Sequence, residues 1–152
     1  MQTKKVFLSI DPQEIDDFTV IAIHSNLESY LIAYRINQKL GCLLKNSKKG
    51  SIKNTYTRFK YVSKISNDSW ELISNHSKNN ESVNKDTLLF NINETNKQSL
   101  IPNLDSVDFF FKIPKSKIIG EWIVNIRKIE GIQLAYEIDK KTLNNIENLI
   151  FD

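Results

Sequence analysis

The sequence carries the same strand–helix–strand pattern twice, once in each half of the chain. Segments 18–45 and 107–137 each begin with an apolar run, continue with an apolar stripe of helical period, and reach a glycine before the next apolar run. Two further strand patterns joined by a turn lie between them. The order β-α-β, β-β, β-α-β predicts an α+β fold. We expect an antiparallel sheet with two main helices on one face, in an elaborated split βαβ (ferredoxin-like) arrangement.

The ends of the first helix are marked by residue type. Ser25 is followed three residues later by Glu28, which is the spacing of a capping box, and predicts a helix over about 26–40. Gly41 then supplies a left-handed C-cap. The second helix is predicted over about 116–130 from its own apolar stripe.

The middle and the end of the chain are less regular. Residues 55–65 alternate with the period of a strand, and the Asn67–Asp68 turn leads into a second strand, which completes a hairpin. Residues 76–99 are rich in Asn, Ser, Lys and Glu and are predicted to form a polar loop or insertion. Residues 140–152 are expected to form a tail that docks back on the body. The length is that of a single domain, 1–152.

Several kinds of chemistry lack the residues they need. The four glycines are scattered, whereas a phosphate-cradling loop needs them close together. One cysteine and two histidines cannot supply a structural zinc site by themselves, so no metal and no cofactor are expected. Cys42 is predicted to be a buried, inert thiol, and His24 a packed histidine at the end of a strand. The other histidine, His76, lies in the polar region.

The chain is expected to be cytoplasmic. Its apolar runs are all much shorter than the roughly 18 residues that span a membrane, and the apolar run near the start is followed at once by acidic residues. A single cysteine fits a reducing compartment.

The positive charges are concentrated in one stretch, although the net charge is only +3. Residues 45–64 contain six lysines and one arginine but no acid. Lysines neutralise phosphates and aromatic side chains stack on bases, so this stretch is a candidate surface for RNA or a protein partner. The alternative is an ordinary solvated strand face whose lysines protect a sheet edge. The candidate binding residues are Lys48, Lys49, Lys53, Tyr56, Arg58 and Lys60.

One acid, Asp108, sits inside the most aromatic run of the chain. A functional reading makes it an active-site carboxylate, together with Asp16 or Asp17. A structural reading, which we favour, has its carboxylate accept backbone N–H groups from the turn at 102–106. Pro102 would then give that turn its rigidity.

A family resemblance centres on the same stretch. Residues 101–109, Ile-Pro-Asn-Leu-Asp-Ser-Val-Asp-Phe, resemble the signature of the IPExxxVDY family. Segments 29–41, 70–75, 132–139 and 147–151 look like the same family, so the resemblance covers nearly the whole chain. Two positions depart from the motif: Asn103 stands in place of Glu, and Phe109 in place of Tyr. A charge and a hydroxyl are therefore missing, which argues against catalysis by the motif.

The resemblance implies a short bacterial protein of a family without an assigned activity. Genes of that family lie near the gene for ribonuclease III, which suggests RNA metabolism. We therefore expect a non-catalytic binding protein, a protein–protein adaptor or assembly factor that uses a sheet edge or a helix face. The alternative is an RNA-associated protein that uses residues 45–64, and an enzyme is the third hypothesis. The sequence leaves the partner and the oligomeric state open, a homodimer included.

Overall fold

The computed structural model describes residues 17–47, 56–77, 98–115 and 117–150. Most of the predicted polar loop at 76–99 lies outside these ranges. Within these ranges, short 3-10 turns occur at Pro102–Leu104, Lys140–Thr142 and Ile146–Leu149. The main elements are β1 (Phe18–Ser25), α1 (Ser29–Leu40), β2 (Lys45–Asn46), β3 (Arg58–Val62), β4 (Ser69–Ser74), β5 (Phe109–Pro114), α2 (Ile119–Arg127) and β6 (Ile132–Ile138).

The six strands form one sheet in the order β2-β3-β4-β5-β1-β6. Every pair of neighbouring strands is antiparallel. The connection from β5 through α2 to β6 passes over β1, and the connection from β1 through α1 leads to β2 at the far edge. The predicted α+β fold with an antiparallel sheet is confirmed.

The two faces of the sheet bury separate apolar clusters, because side chains alternate along each strand. On one face, which we call the helix face, Ile21 and Ile23 of β1 pack with Ile36 of α1 and Ile126 of α2. Both helices therefore cover the same face, as predicted. The opposite face, which we call the tail face, is covered by the 100–107 segment and by residues near the C-terminal end. Its buried residues include Val20, Ala22, Ile73, Phe110, Leu100, Ile101, Val107, Leu143 and Leu149.

The predicted capping box is wrong, whereas the predicted C-cap is confirmed. Helix α1 begins at Ser29 with Glu28 as its N-cap, and no side chain caps it. Strand β1 extends through Ser25, whose hydroxyl donates to the carbonyl of Gly131 at 2.6 Å and accepts from the Leu27 N–H at 3.1 Å. The Ser25 hydroxyl, which was predicted to cap the helix, thus bonds to the distant Gly131 instead. Gly41 has a φ of 69° at the C-cap, as its residue type predicts.

Gly131 gives a test of how closely the residue before β6 approaches Leu27, which lies between β1 and α1. Its φ is 92°, and a Cβ added there would overlap the side chain of Leu27. Gly131→Ala is therefore expected to cost about 2–4 kcal/mol, from positive-φ strain plus overpacking. Gly41→Ala is the matched control, because its φ is also positive but nothing lies within 4 Å of the added Cβ. Chemical denaturation should show the larger loss at Gly131; equal losses would contradict the close contact.

Candidate binding surfaces

Asn75, immediately after β4, fixes the 100–107 segment to the sheet. Its side chain is fully buried. The amide nitrogen donates to the carbonyls of Leu104 and Val107 at 2.9 and 2.8 Å, and the amide oxygen accepts from the Ile101 N–H at 3.0 Å. Two backbone bonds, to Leu100 and Asp108, flank these contacts. Asn75, and not the carboxylate of Asp108 as predicted, therefore holds this segment to the sheet.

The carboxylate of Asp108 bonds to the end of β1 and not to the turn at 102–106. Its Oδ2 accepts from the Ser25 N–H at 2.9 Å. Its Oδ1 lies 3.8 Å from Nε2 of His76, which is longer than a hydrogen bond. Asp17 lies just before Phe18, at the other end of β1 from Ser25, so its carboxylate is not beside that of Asp108. Asp16 is outside the described residues.

A polar cavity of about 310 Å³ opens beside Asp108 and His76. The hydroxyls of Ser25 and Ser74, which also line it, donate to the backbone carbonyls of Gly131 and His76. Neither hydroxyl donates to the imidazole of His76. The observed contacts around the cavity fasten β1, β4 and β5 together at one end of the sheet.

Two other residues singled out in the sequence lie in packed surroundings. His24 stacks on Tyr136 with a ring-centroid distance of 5.6 Å, and its Nε2 lies 3.2 Å from the phenol oxygen. Cys42 is buried, and desolvation raises the pKa of its thiol to about 11. At neutral pH the thiol is therefore protonated and a poor nucleophile.

The six predicted binding residues fall into three groups. Lys48, Lys49 and Lys53 lie outside the described residues. Tyr56 is half-buried and packs against the tail-face cluster, so its ring is not a free stacking surface. Arg58 and Lys60 are both in β3, but Arg58 is only 8% exposed and its guanidinium donates to the Ser47 hydroxyl at 2.8 Å. Lys60 is the more accessible of the two.

The structure adds two lysines and a glutamate to this group. Lys45, Lys60, Glu71 and Lys112 stand directly opposite one another on β2, β3, β4 and β5. Directly opposite residues share a face of the sheet. These four residues form a line across the tail face, which we call the basic row. It is exposed at Lys45, half-exposed at Lys60 and buried at Lys112.

Three cations converge on the single carboxylate of Glu71. The distances from its oxygens are 3.9 Å to Nε of Arg58, 3.8 Å to Nζ of Lys60 and 3.7 Å to Nζ of Lys112. Glu71 itself is buried. Among the described residues, one carboxylate therefore faces three cations.

Lys112 is the buried end of the row. Its Nζ donates to the carbonyl of Leu149 at 2.8 Å and lies 4.5 Å from the ring centre of Phe18. Burial lowers the pKa of Lys112 below its ordinary value, while Glu71 opposes that shift. The sequence pattern of β5 marks position 112 as facing away from Phe109 and Phe111. The partner of Lys112 could not be inferred, because it depends on the register between β4 and β5.

Comparison of the chain with models of known protein families, with curated proteins and with solved structures yields no significant match. Over the described residues, no helix is both long and apolar enough to cross a membrane. Within the same ranges, no three His, Cys, Asp or Glu side chains are grouped as metal ligands would be.

Proposed function

We propose that the protein is a non-catalytic binding protein, an adaptor or assembly factor, whose contact surface is the exposed end of the basic row. The partner is a protein that presents carboxylates. The observation that carries this proposal is the pair Lys60 and Lys45, which stand opposite each other at the outer end of the basic row, beyond the carboxylate of Glu71. The contact lies at the β2 edge of the sheet, the kind of surface expected from the sequence.

The placement of Lys45 and Lys60 favours an anionic partner on physical grounds. The two lysines are directly opposite each other on β2 and β3, where like charges repel. An anion placed between them removes this repulsion. Complementary charge also raises the association rate and selects against basic partners.

RNA is the alternative partner, because phosphates would meet the same two lysines. The burial of Arg58 and the packing of Tyr56 weaken this alternative within the described residues, since an RNA-binding sheet needs exposed stacking side chains. The predicted contacts of Lys48, Lys49 and Lys53 remain part of it.

The test is affinity purification from native extract, with and without nuclease, using the wild type and the variant Lys45→Gln/Lys60→Gln. The control variant, Lys39→Gln/Lys128→Gln, removes the same charge from the exposed helix ends. A protein partner that survives nuclease should be lost with the first variant and kept with the second.

The other outcomes separate the two partners. Recovery of RNA that is lost after nuclease supports the RNA alternative. Its affinity should then fall steeply with salt, and neutralising the two lysines should reduce the log–log salt slope by about 1.4. Equal recovery of all partners by both variants would place the contact elsewhere and contradict both proposals.

The family, the finer fold and the location are part of the same proposal. Membership of the IPExxxVDY family rests on the motif at 101–109 and on the segments that resemble it. A split βαβ arrangement, with β2 and β3 inserted after α1, is supported by the strand order β4-β5-β1-β6 and by the helix that joins β5 to β6. We place the protein in the bacterial cytoplasm.

A further inference from the structure

The two outer strands of the sheet differ in how they are protected. Strand β2 is two residues long and carries the exposed Lys45, as is usual for an edge that must not pair. Strand β6 is seven residues long, contains no proline or lysine, and has Leu134 48% exposed. No described strand pairs with its outer side. An edge of this length and composition is suited to pairing with another strand.

The ladder fixes which backbone groups of β6 face outward. The Lys115 N–H bonds to the Asp17 carbonyl, so the odd-numbered residues of β1 bond to β5 and the even-numbered ones to β6. Leu134, Tyr136 and Ile138 stand opposite those even residues and therefore bond inward.

Three residues of β6 remain with outward backbone groups, namely Gln133, Ala135 and Glu137. The Ala135 carbonyl accepts from Nε of Arg127 at 2.9 Å, in agreement with that assignment. A carbonyl has a second lone pair, so the bond from Arg127 still allows a strand partner.

We propose that β6 pairs with β6 of a second copy of this chain, antiparallel and about a two-fold axis at Ala135. Ala135 is the midpoint of the strand, so this register uses all seven residues. It gives three hydrogen-bonded residue pairs with two bonds in each: Ala135 with Ala135, and Gln133 with Glu137 twice.

The side chains of β6 are self-complementary in this register. Leu134 stands opposite Tyr136, an apolar–aromatic pair on the tail face. Glu137, the charged residue of the strand, stands opposite Gln133, to which a carboxylate can hydrogen-bond. An axis at Glu137 would instead oppose two carboxylates and shorten the overlap. The dimer uses the edge opposite to β2, so it leaves the basic row accessible.

The test is sedimentation equilibrium of the full chain with substitutions at Gln133, which is exposed. Gln133→Glu places a carboxylate opposite Glu137 twice per dimer and should raise the dimer dissociation constant about fivefold. Gln133→Lys places a cation there and should lower the constant by a similar factor. Opposite shifts from one exposed position report this register.

A second pair of variants tests the edge without relying on charge. Leu134→Lys should raise the dissociation constant at least about tenfold, because it removes two apolar cross-strand pairs. Ile65→Lys makes the same change at the fully exposed hairpin loop and should leave the constant unchanged. Circular dichroism verifies that each variant folds.

Two results would overturn the proposal. One is a wild-type chain that stays monomeric at about 100 µM, where a micromolar contact would be saturated; this includes the case in which residues 1–16 or another protein occupy the edge. The other is a dimer whose dissociation constant is the same in the wild type, in both Gln133 variants and in Leu134→Lys.

Discussion

Asn75→Ala is expected to lower the free energy of unfolding by about 3–5 kcal/mol. The substitution removes one side chain but leaves two backbone groups without their partner, the carbonyl of Val107 and the N–H of Ile101. The carbonyl of Leu104 also loses a bond and keeps the one from the Val107 N–H. Each buried polar group left unpaired costs about 1–3 kcal/mol. For a chain of this length, the melting temperature should fall by about 10–15 °C. Thermal and urea denaturation measure both quantities.

Two further variants separate this role from a general loss of packing. Asn75→Asp keeps the oxygen that accepts from Ile101 but aims a carboxylate at two carbonyls, so it should destabilise at least as much as alanine. Asn103→Ala, at an exposed position of the same segment, should change stability by less than about 0.5 kcal/mol. Hydrogen exchange should show the Ile101 N–H losing protection in Asn75→Ala, which has no oxygen to accept from it. If the Ile101 N–H kept its protection in that variant, the hydrogen bond from Ile101 to Asn75 would be contradicted.

The local patterns predict the secondary structure and the two-layer arrangement of helices on a sheet because each depends on residues near in sequence. Alternation predicts that Phe59 and Tyr61 lie on the same side of their strand. In the structure Phe59 belongs to the helix-face cluster and Tyr61 packs against it. Gly41 predicts the end of α1. Both effects are local, and no distant contact competes with them.

The predictions failed where a distant partner decides the outcome. The hydroxyl of Ser25 bonds to Gly131, 106 residues away, and so does not cap α1. The partners of Asn75 lie 26 to 32 residues further along the chain, and nothing around Asn75 marks it in the sequence. Asp108 was singled out for its aromatic neighbours, yet its carboxylate bonds to β1. Charge composition pointed to residues 45–64, but only the register shows that Glu71 and Lys112 complete the group.

Glu71→Leu is the second substitution expected to have a large effect. Arg58 and Lys112 are both buried, and each has an ion-pair distance below 4 Å to the Glu71 carboxylate. Removing one partner of a buried ion pair costs about 3–5 kcal/mol, because the remaining charge stays desolvated without compensation. We expect a loss of that size in urea denaturation at neutral pH.

The double variant Glu71→Leu/Lys112→Leu shows whether the loss of stability arises because Lys112 is left buried without its carboxylate partner. It replaces two facing charged residues by apolar ones of similar size, which is often neutral in a protein interior. It should therefore be more stable than Glu71→Leu alone, and the double-mutant cycle should give a clear coupling energy. Simple additivity of the two single losses would contradict the ion pair.

The pH dependence of Glu71→Leu gives an independent check through Lys112. Burial holds the pKa of Lys112 below its ordinary 10.5, and removing Glu71 takes away the main influence that opposes this shift. The unfolded chain then binds a proton that the folded chain has already released, so stability rises with pH in the window below 10.5. The deficit of Glu71→Leu relative to wild type should shrink as the pH approaches that value. The double variant lacks Lys112 and should show no such recovery. A deficit in Glu71→Leu that stays constant with pH would mean that Lys112 is not the charge left uncompensated.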